Sequence, residues 1–560
     1  MRLFALATKT TTIRAITTKR FLTHHVLSAT RLSTTTTRIT TNHHGSHTRP
    51  YSSAKGTPPS PLSSQSQQPQ STFNPETYLQ TATTTLSLIP PKLIPDTLHP
   101  TQSHLLSLAL SSHLPSICLP QGFNTQPPSP TNKSIFPWPN QETNQLLPPG
   151  YHLIYYPLQT PPHLLFPDGT DADHCPGSPF TRRMWAGGRI DFGKGGGSDE
   201  EQQQQQQLFK LDGRKTVCVE TLGTPVLQLV GNSGKKEQQQ EQDQKVHVDV
   251  WRRYIAFPPE TTSREIERVV ADVINDSSSS SSASRECKEG VFSELRRLVF
   301  LRERRPDDDN DDKRSDPFPS LNPSPNDPKQ KPEPVRAPAP APARIIRVPH
   351  HPDFSFTMTP DATLLFQFSA LTFNAHAIHL DPLYAREVEG YKERLVHGPL
   401  TLVIMLRGVE GFLNRVATAA AGTGVGTGTS VDTTTTTTAA DSSVGTGTAG
   451  VSEVIKERLF VPPPPGEEEE TANGRKKIRK RWWEIASIEY KNLRPLFVGE
   501  EMKVCVRLLP NREKKKSNDG GDRAGLGLSL GAARSERVDV WIEAPDGGLA
   551  VKGTVGIEWR

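Results

Sequence analysis

Residues 366–407 read FQFSALTFNAHAIHLDPLYAREVEGYKERLVHGPLTLVIMLR, placing Asn374, His376, His379 and His397 ahead of a Gly398-Pro399 helix start. An imidazole with a pKa of about 6.5 can take up or release a proton near neutral pH. The amide of a glycine opening a helix can donate to a developing oxyanion, helped by the helix dipole and by the missing side chain. Pro399 has no N–H, so Gly398 is the donor candidate of that pair. Proton transfer beside an oxyanion donor is what a reaction through an enolate requires. Asn374 can orient a water or hydroxyl but cannot act as a base near neutrality. Taken alone, His379 reads equally as a solvated or structural loop histidine, and Gly398-Pro399 as an ordinary helix start.

Elements on either side must position these groups. Residues 363–368 read as a strand entering the loop that carries His379, which is expected to lie outside the core. Asp381 and Pro382 open a short helix with an acidic cap and a proline at its first position, ended by Gly390. A longer helix runs from residue 398 to about 416. Its residues Leu400, Leu402, Val403, Ile404, Met405 and Leu406 leave no polar face, so it is buried and wrapped by a sheet. Strands are expected at 454–461, 482–490, 501–509, 537–544 and 549–559, with Asp546-Gly547-Gly548 as a tight turn. One buried helix followed by about five antiparallel strands is a hot-dog arrangement. Upstream, residues 75–88 suit a short helix and 91–149 an irregular segment. Further strands are expected at 151–156, 184–192, 216–222 and 246–257. Ile266, Val269, Val270 and Val273 fall at helical spacing, whereas 294–302 fits either a strand or a helix.

The runs 368–379, Tyr384-Ala385-Arg386 and His397-Gly398-Pro399-Leu400 resemble the MaoC-like hydratase/dehydratase family. The similarity is greatest to its fungal mesaconyl-CoA-hydratase-like and mitochondrial hydroxyacyl-thioester dehydratase branch. Arg182-Arg183-Met184-Trp185-Ala186-Gly187-Gly188 and residues 492–500 (NLRPLFVGE) extend the resemblance to about 137–257 and 348–558. It implies an α+β double hot-dog fold, two antiparallel sheets each curled around a helix, with disordered low-complexity inserts. The N-terminal half would shape the acyl pocket and the C-terminal half would carry catalysis. One departure stands out. The wider family has an Asp-x-Asn-Pro-x-His pattern, and here those positions read Asn374-Ala375-His376-Ala377-Ile378-His379. The carboxylate is an amide, so proton transfer falls to His379.

The resemblance implies a hydro-lyase that interconverts a 3-hydroxyacyl thioester and its trans-2-enoyl form without cofactor or metal, the thioester being carried by CoA or by an acyl carrier protein. His379 would be the general acid/base, Asn374 the residue positioning water or hydroxyl, and Gly398 the oxyanion donor. His376, His397, Arg183 and Trp185 would contact substrate. Arg182 and the Trp185 segment suit a CoA edge, or alternatively a bulged strand packed at the interface between the two hot-dog units. An acyl-thioester hydrolase and a non-catalytic acyl-carrier-binding module are the rival readings.

Composition sets the bounds. Only 34% of the 560 residues are hydrophobic and 51 are proline, so much of the length cannot pack into cores. Lys and Arg (65) nearly balance Asp and Glu (60), which gives no basic surface for nucleic acid. Five scattered cysteines suggest neither a disulfide framework nor a zinc site. The first acidic residue is Glu76, after an arginine- and hydroxyl-rich leader that reads as a mitochondrial presequence over 1–51. A disordered spacer follows at 52–74, then an N-terminal hot-dog-like domain at 75–305, a Pro-rich linker at 306–343 and a C-terminal MaoC-like domain at 344–560 with an insert at 417–450. Gln- and Ser-rich runs near 202–207, 238–242 and 277–282 read as solvated inserts, and the basic run at 476–481 as a solvated loop before a strand. No segment suits a membrane span. The expected location is the mitochondrial matrix, as a monomer or homodimer.

Overall fold

The computed structural model describes residues 73–121, 123, 145–192, 209–228, 244–278, 291–303, 345–421, 451–459, 468–470, 476–478, 483–510 and 535–559. The expected presequence, nearly all of the expected spacer, the expected Pro-rich linker and nearly all of the expected inserts lie outside them. Thr72–Arg560 forms one compact unit.

The described residues begin with helix α1 (Pro75–Ser87), capped by the Asn74 side chain, then strand β1 (Lys92–Thr97) and helix α2 (Pro100–Ser111). These last two replace the first part of the irregular segment expected at 91–149, of which residues 122 and 124–144 lie outside the described residues. The prolines there punctuate elements rather than break them. Pro95 lies on a strand at the edge of its sheet, where a missing N–H costs nothing, and Pro100 opens the helix. Residues 151–156 are not a strand. Tyr151–Ile154 is a 3-10 turn following Gly150, and Tyr151, Leu153, Ile154, Tyr155 and Tyr156 are all buried, without the alternation of a strand. Ser103 and Ser107 of α2 hydrogen-bond the Tyr155 and Tyr151 hydroxyls at 2.9 and 3.0 Å.

Strands β2 (Phe180–Asp191), β3 (Lys215–Leu222), β4 (Val226–Gln228) and β5 (Lys245–Ala256) follow. Helix α3 (Ser263–Ser278) then lays Val270 and Val273 against Val217, Val219 and Ile255. The undecided segment is strand β6 (Val291–Arg302), and strand β7 (Phe354–Met358) was not foreseen. Residues 363–368, expected as a strand, belong to helix α4 (Ala362–Thr372). Asp361 caps it, accepting from the Leu364 N–H at 2.7 Å, and Leu364, Leu365, Phe368 and Ser369 form its buried stripe. The single-turn helix α5 (Ala377–Leu380) and the long helix α6 (Gly398–Ala421) come next. Residues 454–461, also expected as a strand, give helix α7 (Glu453–Leu459), with Ile455 and Leu459 buried one turn apart. The basic run is not all loop, because β9 (Lys476–Ile478) pairs with β8 (Glu468–Glu470). Strands β10 (Trp483–Asn492), β11 (Met502–Leu508), β12 (Ser535–Glu543) and β13 (Leu549–Trp559) complete the chain.

The main strands form one eleven-stranded antiparallel sheet in the order β1-β3-β5-β6-β2-β10-β13-β12-β11-β7, with β4 paired to β5. This is a double hot-dog whose two sheets have merged. The seam is β2 against β10, where Gly187 to Asp191 pair with Lys491 to Ser487. The C-terminal half curls around α6, in which Leu400, Leu402, Val403, Ile404, Met405, Leu406 and Val409 are fully buried. Arg407 is buried there too, paired with Glu410 at 2.7 Å and lying 5.2 Å from the centre of the Tyr151 ring. One hydrophobic core runs through both halves, joining Leu106, Tyr151, Tyr254 and Phe292 to α6 and β10–β13. No helix among the described residues is long and apolar enough to cross a membrane.

Candidate active site

Helix α4 ends at Phe373 in a left-handed conformation (φ 52°), and the chain turns into Asn374. The Asn374 side-chain oxygen accepts from the His376 N–H at 3.0 Å, and its own N–H donates to the Ser369 carbonyl at 2.9 Å. The turn is held from the other half of the molecule. Ala377 N–H donates to the Asp168 carbonyl at 2.8 Å, and Gly169 (φ +81°) packs so closely that an added Cβ would stand 2.1 Å from the Ala375 oxygen.

His379 follows on α5. It is buried, not in a loop outside the core, because its Nδ1 sits 2.8 Å from the Leu395 carbonyl, which can only accept. The Nδ1–H tautomer is therefore fixed and Nε2 keeps its lone pair. Burial pushes the His379 pKa down to about 4, the Leu395 carbonyl opposing and the Arg183 charge adding to the fall. Burial likewise holds His376 and His397 well below the ordinary imidazole value, with the neighbouring histidines contributing. At neutral pH all three rings are uncharged.

His397 differs from its expected place. It is fully buried behind His379, with Nε2 2.8 Å from Ser369 Oγ, and is not among the residues lining the cavity. Asn374, His376, His379, Gly398, Arg183 and Trp185 all line one cavity of about 850 Å³. Arg183 and Trp185 each make one polar contact within the protein. Arg183 Nη1 donates to Asp171 at 2.7 Å, and Trp185 Nε1 donates to the Tyr490 hydroxyl at 2.8 Å. Arg182 donates to Glu389 at 2.6 and 2.9 Å, tying β2 to the turn after α5. The strand bulges between Trp185 and Gly187, as in the interface alternative. Gly398 begins α6 directly against Trp185, and an added Cβ would lie 2.8 Å from Trp185 Cβ.

Sequence reasoning missed the polar end of the cavity. His174 bridges Asp171 (3.3 Å) and Glu220 (2.9 Å), and Glu220 accepts from Arg252 at 2.6 Å. Burial alone would raise both carboxyls. Arg183 and His174 outweigh it at Asp171, and Arg252 and His174 at Glu220, so both fall below the usual range. Arg296 pairs with Glu294 at 2.8 Å and lies over the Trp185 ring at 5.3 Å, but its Nε has no partner among the described residues. These residues come from separate strands and loops, so no local motif announces them.

A family model described as hydroxyacyl-thioester dehydratase type 2 matches residues 150–286 and 326–420. The mesaconyl-C(4)-CoA hydratase of Chloroflexus aurantiacus is 53% identical over 58 residues, 10% of this chain and 21% of that protein. The mitochondrial hydroxyacyl-thioester dehydratase type 2 of Schizosaccharomyces pombe is 38% identical over 63 residues, 11% and 21% of the two chains. The matched stretch thus spans about a fifth of each curated relative. A MaoC-like dehydratase from Phytophthora capsici shares 11% identity at a TM-score of 0.30, covering 87% of this chain and 99% of that one. A double-hotdog protein from Mycobacterium tuberculosis shares 11% at 0.32, covering 85% and 97%.

Proposed function

We propose that this chain, matched in both halves by the hydroxyacyl-thioester dehydratase type 2 family, is a hydro-lyase that interconverts 3-hydroxyacyl and trans-2-enoyl thioesters. The observation that carries the reading is His379. Its Nδ1–H is committed to the Leu395 carbonyl, and its lone pair faces a cavity that Gly398, at the start of a buried helix, also lines. In hydration, Nε2 takes a proton from water as the water oxygen bonds to C3 of the enoyl group. The electron pair of the C2–C3 bond moves toward the thioester oxygen, where the Gly398 N–H stabilises the charge. The imidazolium then returns its proton to C2. Asn374 has spent its oxygen on the His376 amide, so its NH₂ is the group that holds the water oxygen. Dehydration runs the same steps backward.

Arg252 and Arg296, which both line the cavity, favour an acyl chain that carries a hydrogen-bond acceptor at its far end, as a short dicarboxylic thioester does. The leader composition and the mitochondrial relative support a mitochondrial location. CoA or an acyl carrier protein would present the thioester. A spectrophotometric assay tests the reading with straight-chain enoyl-CoA and short branched dicarboxylic enoyl-CoA thioesters, with a free-thiol reagent present. Loss of enoyl absorbance without thiol release is expected. Thiol release would favour a hydrolase, and no change with any thioester would favour a non-catalytic module.

A further inference from the structure

We propose that Asp168, contributed by the N-terminal half, is the positioning residue for His376 and supplies this loop with the carboxylate that position 374 lacks. The inference rests on the hydration reading of the same cavity. Asp168 Oδ2 stands 3.6 Å from His376 Nε2. Its other oxygen is already occupied, accepting from Thr170 N–H at 2.9 Å and Thr170 Oγ1 at 2.7 Å, so Oδ2 is the oxygen left to face the ring. The loop carrying Asp168 cannot drift from the catalytic turn, given the Ala377 N–H bond to the Asp168 carbonyl and the close packing of Gly169 on Ala375. His376 itself is buried and lines the cavity.

A carboxylate facing Nε2 selects the tautomer with the proton on that nitrogen and leaves Nδ1 as the acceptor of the ring. The attacking water then has a complete set of partners. His379 Nε2 accepts the proton that is transferred, His376 Nδ1 accepts from the hydrogen that stays, and the Asn374 amide donates to the oxygen. A carboxylate at position 374 would do such work directly. Here it is divided between an amide on the loop and a histidine oriented from across the molecule. Without Asp168, His376 can place its proton on Nδ1 and present a donor where the water needs an acceptor.

Two measurements on the full chain test this. The first is the His376 side-chain tautomer by ¹⁵N NMR, assigned with His376→Ala. The wild-type protein should hold the Nε2–H form and Asp168→Ala should populate Nδ1–H. The second is a double-mutant cycle for enoyl-CoA hydration. Asp168→Ala should lower kcat about 10- to 100-fold with KM within about threefold, consistent with loss of one oriented group. The same change in a His376→Ala background should have no further effect. A merely structural loop would give additive losses. A wild-type Nδ1–H tautomer, or an undiminished Asp168→Ala effect without His376, overturns the proposal. If the wild-type protein hydrates no thioester, the functional reading falls, and the tautomer measurement still decides the role of Asp168.

Discussion

His379 and His397 stack face to face, their ring centres 3.7 Å apart and their planes 22° from parallel. Two imidazolium ions could not share that geometry in a buried site, so the stack requires at least one neutral ring. Burial keeps both neutral. The stack also gives His397 its place: it backs the His379 ring and is not among the residues that line the cavity.

The first prediction concerns pH. In the proposed mechanism the neutral form of His379 is the base, and burial lowers its pKa to about 4. Hydration should therefore hold level from pH 8 down to about pH 5, with no inflection near the ordinary imidazole value of about 6.5. The unfolded chain binds protons on its histidines at a higher pH than the folded one does. Stability should thus be intact above about 6.5 and fall as pH drops toward 4. His379 alone costs about 3 kcal/mol over that interval, at about 1.4 kcal/mol per pH unit. Denaturant titrations at pH 7.5 and 5.0 check the sign. Equal stability at both would mean the cluster is charged or exposed.

His379→Ala should reduce turnover at least about 100-fold, as expected for loss of a general acid/base. It should also lower the melting temperature, because the change leaves the Leu395 carbonyl unpaired in a buried position, a loss worth about 1–3 kcal/mol. Unchanged turnover in a folded variant would remove His379 from the mechanism.

Gly398→Ala adds a Cβ 2.8 Å from Trp185 Cβ and 2.9 Å from Asn492 Nδ2. Neither neighbour can yield easily: Trp185 is tied to Tyr490, and Asn492 Nδ2 donates to the Trp185 carbonyl at 2.8 Å. The start of the helix must shift instead. A drop in kcat of about 100-fold is expected, the scale of losing one oxyanion donor. Wild-type kcat would show that the Gly398 amide is not that donor.

Asn374→Asp preserves the oxygen that accepts from His376 N–H, so folding stability should change by less than about 0.5 kcal/mol. The amide donor disappears, and an acceptor faces the water that already has two. Turnover should fall at pH 7.5. A large gain would show instead that the site has decayed from one that used a carboxylate.

How far the sequence could be read depended on whether a signal was local. The Leu400 to Leu406 run identified a helix buried on every side, and the strand expected at 537–544 is part of the sheet around it. Helix α4 was misread because Leu364, Leu365, Phe366 and Phe368 form an apolar run of strand length. The decisive signals, the Asp361 cap and the left-handed Phe373, are single residues at its ends. The motif located Asn374, His376 and His379 but not their surroundings. The carbonyl of Leu395 buries and orients His379 from sixteen residues away in the chain. Asp168 and the Asp171 to Arg252 network come from the other half, where no spacing links them to the motif.

The seam between β2 and β10 carries a consequence for how the molecule can be divided. Gly187 to Asp191 and Ser487 to Lys491 complete each other's ladder, so a cut between the halves leaves each fragment with an open, adhesive edge. Co-expressed fragments should find one another and restore activity, making the chain a natural candidate for split-enzyme complementation. Either fragment produced alone should precipitate or pair with copies of itself.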